Sequence, residues 1–121
     1  MTLRVLVVDD SGFMRKRIVQ ELQGEGHTVV GEAKSGGEAV RMYRKFKPDV
    51  VTMDITMRDM DGITAAKEIL NEDPNAKIIF LTILKEDKYK AEAERLGAVG
   101  FFNKAGPVSI ADMIRGMEQR K

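Results

Sequence analysis

The chain has 121 residues, no cysteine, 20 Lys and Arg against 19 Asp and Glu, and a formal net charge of +1. Its length suits a single domain over residues 1–121 that buries a core without staples, and the missing cysteine excludes a disulfide scaffold and a cysteine zinc site. Balanced charge supplies no field to draw in nucleic acid or an anionic membrane, so neither is an expected partner. The early apolar stretch 3–8 is too short, and too acidic at its exit, for a secretory segment, and no run is long enough to span a bilayer. The expected address is the cytoplasm.

Short β-rich runs alternate with helical patterns five times, the mark of a parallel α/β sheet whose right-handed crossovers put five helices on its two faces. The first strand is expected over 4–9, followed by a helix with Met14, Ile18 and Leu22 on one face, ended by Gly24 and Gly26. The lone His27 lies in a polar stretch and reads as surface. The second strand is expected over 28–33. Ser35 and Glu38 then have the spacing of a capping box, and the helix they open carries Ala39, Val40, Tyr43 and Phe46 and stops before Pro48. After a third strand over 50–54, Asp61-Gly62 offers a turn and a cap for a helix carrying Ile63, Ala66 and Leu70, closed at Asp73-Pro74. A fourth strand over 77–82 leads to a helix with Tyr89, Ala93 and Leu96, ended by Gly97. The fifth strand, 100–103, precedes a last helix after Pro107, capped by Ser109 and carrying Ile110, Ile114 and Met117. The first, third and fourth strands read as the central ones, covered on both sides.

Polar residues fall where such a sheet binds ligands, beyond the carboxyl ends of its strands. Strand one ends at Asp9-Asp10, strand three at Asp54, strand four at Thr82, and Lys104 follows strand five. Three carboxylates brought together repel unless a cation neutralises them, and a hard divalent ion with oxygen ligands answers that need: Mg²⁺, with Mn²⁺ as substitute. With the metal held by its neighbours, one carboxylate can attack a phosphoryl group without losing a proton, and Asp54 stands alone on a central strand for that role. A lysine and a threonine hydroxyl would then meet charge on the phosphoryl oxygens. Adjacent acids after a strand also serve as helix caps, and Lys104 or Thr82 alone would be an ordinary surface or strand residue. Their joint placement at four strand ends favours the site.

These motifs make the chain resemble a response-regulator receiver domain, most similar to stand-alone CheY-type chemotaxis response regulators. The resemblance runs through Val5-Leu-Val-Val-Asp9-Asp10-Ser11, Pro48-Asp49-Val-Val-Thr-Met-Asp54, Met57-Arg58-Asp59-Met60-Asp61-Gly62, Ile78-Ile-Phe-Leu-Thr82 and Gly97-Ala98-Val-Gly-Phe101-Phe102-Asn-Lys104. It implies a flavodoxin-like, doubly wound sheet of order 2-1-3-4-5. It further implies that Asp54 accepts phosphate from a histidine kinase, and that Asp9, Asp10, Asp54 and the Thr56 carbonyl hold Mg²⁺. Lys104 and Thr82 would contact the phosphoryl oxygens, and Phe101 would turn inward behind Thr82. The switch would reshape the surface of the fourth and fifth helices and fifth strand for a downstream protein, a phosphatase being a further partner. A monomer or weak dimer with no catalysis beyond its own phosphorylation and dephosphorylation is implied. The last helical pattern reaches almost to Lys121, so a natural end there is expected, with output by binding a flagellar motor switch or a kinase complex.

Some positions depart from the family's motifs. Ile83 replaces the small residue that usually follows the switch hydroxyl, which narrows the entrance to Asp54 and slows phosphoryl entry or exit. Ala105 stands where the family has a cis proline, which puts the reach of Lys104 in question, because a non-proline cis bond costs about 2.5–4 kcal/mol. Arg58, replacing another proline, adds a cation near the pocket. The alternative is therefore a degenerate receiver that binds proteins without a phosphate switch. A metal phosphohydrolase would need a second acid in Asp54-Ile55-Thr56, and a flavin carrier would need a hydroxyl- and glycine-rich loop where Asp9-Asp10 stand.

Overall fold

In a computed structural model that describes residues 2–82 and 87–103, strands and helices alternate from the first strand onward. They are β1 (Arg4–Val8), α1 (Gly12–Gly24), β2 (Thr28–Ala33), α2 (Gly36–Phe46), β3 (Val50–Asp54), α3 (Gly62–Glu72), β4 (Ile78–Thr82), α4 (Asp87–Leu96) and β5 (Gly100–Asn103). All strand pairs are parallel and the order is β2-β1-β3-β4-β5, so β1, β3 and β4 are central, as their apolar runs require. Two strands are one residue shorter than the sequence suggests, Asp9 following β1 and Lys77 preceding β4. Four helices lie among the described residues; the expected fifth, from Ser109 through Met117, falls outside them.

Side chains alternate across the sheet and sort into two cores. Leu6, Val8, Val51, Met53, Ile78 and Phe80 meet α2, α3 and α4 through Ala39, Val40, Tyr43, Ile63, Ala66, Ile69 and Ala93. On the other face Val5, Val7, Val50, Ile79 and Leu81 pack on Ile18 and Leu22 of α1. Helices therefore cover both faces, as the alternating pattern implies. In α3 the buried face is Ile63, Ala65, Ala66 and Ile69, with the expected Leu70 only partly covered. Met53 is buried and Met42 packs against the larger core, which is the gap-filling use of methionine.

Helix α2 shows how local signals are completed from a distance. The Ser35 hydroxyl accepts from Glu38 N–H at 3.1 Å, half of the expected capping box. The reciprocal half is displaced: the Glu38 carboxylate accepts from Lys34 N–H at 3.3 Å instead of from Ser35. At the other end Lys47 adopts a left-handed conformation, φ 43°, and the Arg4 guanidinium donates to the carbonyls of Phe46 (2.8 Å) and Lys47 (2.9 Å). His27 corrects the sequence reading, for it is buried and its Nδ1 accepts from Leu3 N–H at 3.1 Å. The β1 entry thus gains a partner for a backbone donor that would otherwise be buried unpaired.

Candidate functional site

Parallel register brings the acids together. The β1–β3 ladder ends with Val8 opposite Met53, so the next residues out, Asp9 just past β1 and Asp54 at the end of β3, come side by side at the sheet's carboxyl edge. One carboxylate oxygen from each of Asp9, Asp10 and Asp54 lies within 4.8 Å of the other two. Asp9 and Asp54 are buried, whereas Asp10 is exposed and forms the open side of the cluster. Capping of α1 falls to Ser11, whose hydroxyl accepts from Met14 N–H at 3.3 Å, so the acids are not needed as that helix's cap. Asp9 Oδ1 accepts from Ser11 N–H at 2.9 Å, fixing its carboxylate against the turn.

The other expected residues separate into three groups. Thr82 is fully buried at the end of β4, one residue beyond the Asp54–Leu81 ladder pair, which places it at the same edge one strand over. Thr56 and Arg58 are exposed in the loop that leaves Asp54, and Phe101 is half-buried in β5 against the α2–α4 core. Lys104, Ala105 and Ile83 lie outside the described residues.

Three supporting contacts escape a reading of motifs alone. Gly62 opens α3 so close to the end of β3 that a Cβ there would collide with the Asp54 carbonyl oxygen. Its N–H donates to Ile55 O at 2.7 Å, tying helix to strand directly behind Asp54. Arg15 reaches back from α1 to donate to the Asp9 carbonyl at 2.8 Å, while its Nε meets Glu32 at 3.3 Å. Asp59, in the loop after Asp54, accepts from Gly36 N–H (3.0 Å) and Gly37 N–H (3.1 Å) at the start of α2. Those backbone donors hold its carboxyl below the usual carboxylate range. Arg15 and Asp59 act over 6 to 23 positions of sequence, so only the fold reveals them.

An acid cluster at the carboxyl edge of a 2-1-3-4-5 parallel sheet, with a buried hydroxyl on the next strand, defines a phosphoacceptor receiver rather than a nucleotide or flavin binder. The chain belongs to the response regulator receiver family, whose sequence profile matches residues 5–115. It is 48% identical over 104 residues to the chemotaxis protein CheY of Thermotoga maritima, covering 86% of this chain and 87% of that one. CheY of Bacillus subtilis is 45% identical with the same coverage. Among solved structures, the CheX–CheY complex with BeF₃ and Mg²⁺ from Borrelia burgdorferi matches with a TM-score of 0.87 at 34% identity, covering 97% of this chain and 87% of the matched chain. Receiver domains accept phosphate from histidine kinases. The three Asp oxygens here form a hard, anionic donor set of the kind that Mg²⁺ takes together with water.

Proposed function

We propose that this chain is a phosphorylation-controlled signalling switch of a two-component system, with Asp54 as the phosphoacceptor. The observation that carries the reading is the convergence of Asp9, Asp10 and Asp54 within 4.8 Å at the carboxyl edge of the central strands. A carboxylate oxygen of Asp54 attacks the phosphorus of a phosphohistidine or small phosphodonor, the bond to the leaving group breaks, and an acyl phosphate on Asp54 results. Bound Mg²⁺ supplies countercharge to the acids and to the transferring phosphoryl group. Asp9, Asp10, Asp54 and the Thr56 carbonyl hold it. Gly62 and Arg15 keep the ends of β3 and β1 in place, so that attack begins from a fixed carboxylate.

Thr82 and Lys104 contact the phosphoryl oxygens, and Phe101 moves with Thr82. Contacts that exist only with phosphate present then shift a two-state surface of α4 and β5 towards a form that binds a downstream protein. Relatives named as chemotaxis proteins support chemotaxis as the pathway, and the CheX complex supports a partner that binds the activated form. In this reading residues 1–121 form one receiver domain, monomeric or weakly dimeric, working in the cytoplasm. Among the described residues no helix is long and apolar enough to cross a membrane.

The test is intact mass after exposure to acetyl phosphate or phosphoramidate, with and without Mg²⁺. One phosphoryl group is expected, only with Mg²⁺, and none on Asp54→Asn. No gain from any donor would overturn the switch and leave a protein-binding receiver without phosphorylation, with Ile83 and Ala105 as the first residues to revert.

A further inference from the structure

The loop between β3 and α3 carries Thr56, whose carbonyl the metal-site reading uses, yet it must hold its path without secondary structure of its own. Its two ends are fixed by Asp54 and by Gly62, whose N–H bonds Ile55. Asp61 spends its carboxylate on α3, accepting from Thr64 N–H at 2.7 Å. Between these points the loop has one long-range polar anchor among the described residues: both oxygens of Asp59, bonded to Gly36 and Gly37 N–H of α2. Packing reinforces the joint, since a Cβ on Gly36 would meet the Met60 carbonyl oxygen and Cβ at 2.9 Å. The Ser35-Gly-Gly sequence is therefore a docking step for the loop as well as the start of a helix, and a carboxylate suits it because a helix N-terminus carries partial positive charge.

We infer that Asp59 is a positioning residue for the metal site: its two-oxygen clamp on α2 sets where the Thr56 carbonyl stands relative to Asp9, Asp10 and Asp54. The inference rests on the metal-site reading above. Asp59 touches neither metal nor phosphoryl group in this scheme; it fixes the loop that does. Coupling must run both ways, so an occupied metal site stabilises the clamp, and the clamp raises metal affinity. Outer partners that orient a ligand typically change metal affinity by roughly 10- to 100-fold when removed. One carbonyl among several ligands puts the expectation at the low end, about tenfold.

Mn²⁺ affinity, followed by electron paramagnetic resonance of the free ion, tests this on the unphosphorylated protein. Wild type should bind one Mn²⁺ and Asp10→Asn should not, which checks the site itself. Asp59→Ala should weaken binding about tenfold, and Asp59→Asn, which keeps one acceptor oxygen but turns an N–H₂ donor towards the second amide, should recover only part of the loss. Equal affinity in Asp59→Ala and wild type would overturn the inference and leave the site reading intact. A loss in Asp59→Ala that disappears at about 1 M salt would overturn it as well, since that pattern belongs to long-range charge and not to position. A second readout needs no variant. Amide exchange at Gly36 and Gly37 in wild type should slow on adding Mg²⁺, and unchanged exchange in a protein that binds the ion would count against the clamp.

Discussion

Thr52 lies on β3 two residues before Asp54 and is buried, yet its hydroxyl has no hydrogen-bond partner among the described residues. A hydroxyl taken from water without a partner costs on the order of 1–3 kcal/mol, and valine has nearly the same shape without that cost. Thr52→Val is therefore expected to raise stability by about 1 kcal/mol, seen as a higher urea midpoint at an unchanged slope. Tyr43 is the opposite case. Its hydroxyl donates to Asp73 at 2.7 Å, and burial first, then that bond and the Asp73 charge, push the phenol well above its usual range. The folded state thus holds the proton more tightly than the unfolded chain does. The stabilisation is complete below the unfolded phenol's pKa of about 10 and is lost as pH rises beyond it. Tyr43→Phe should cost about 1–2 kcal/mol near neutrality and should flatten the alkaline fall in unfolding midpoint relative to wild type.

At the scale of elements, α2 shows what a sequence discloses and what it withholds. Its apolar face and its Ser35 cap are local patterns, and the helix lies where those patterns put it. Its end groups are not local. Arg4 covers the last carbonyls from more than forty residues away, and Asp59 covers the first amides from more than twenty, so neither contact can be read from the local pattern. The buried His27 has the same origin, a backbone donor on a distant segment taking the side chain, whereas the displaced capping box stays local, Glu38 turning to the amide one residue before the cap. Lys47 exposes a local cost at the helix's end: a left-handed backbone on a residue with a Cβ costs roughly 1 kcal/mol, where glycine adopts it freely. The Lys47 carbonyl keeps its bond to Arg4 whatever side chain is present. Lys47→Gly should accordingly raise the thermal midpoint slightly, by no more than about 0.5 kcal/mol in stability once the entropy of the unfolded glycine is counted. A fall would mean that the lysine stem packs productively on α2.

For the whole molecule, the acids were legible as strand ends, because each closes an apolar run, but their convergence depends on strand order and register. Neither is encoded locally. The resemblance implied the order, and the ladder of β1 on β3 sets Asp9 beside Asp54. The fold therefore gathers three carboxylates within 4.8 Å, and a bound cation would relieve the repulsion among them. Any ion bound by the folded chain alone stabilises it in proportion to RT ln(1 + [L]/Kd), about 2.7 kcal/mol at a hundredfold excess over Kd. Wild type should thus gain midpoint steadily with the logarithm of Mg²⁺ concentration once the site begins to fill. Asp10 is exposed and forms the open side of the cluster, so Asp10→Asn removes one charge with little disturbance of packing. Without metal that variant should be the more stable protein, by on the order of 1 kcal/mol, since the repulsion it relieves is partly screened by water. With metal its midpoint should barely move. Two thermal titrations against Mg²⁺ should therefore cross, wild type starting below the variant and ending above it. Coincident curves would show that Asp10 is neither a ligand nor a source of strain, and the site would then have to be redrawn around Asp9 and Asp54.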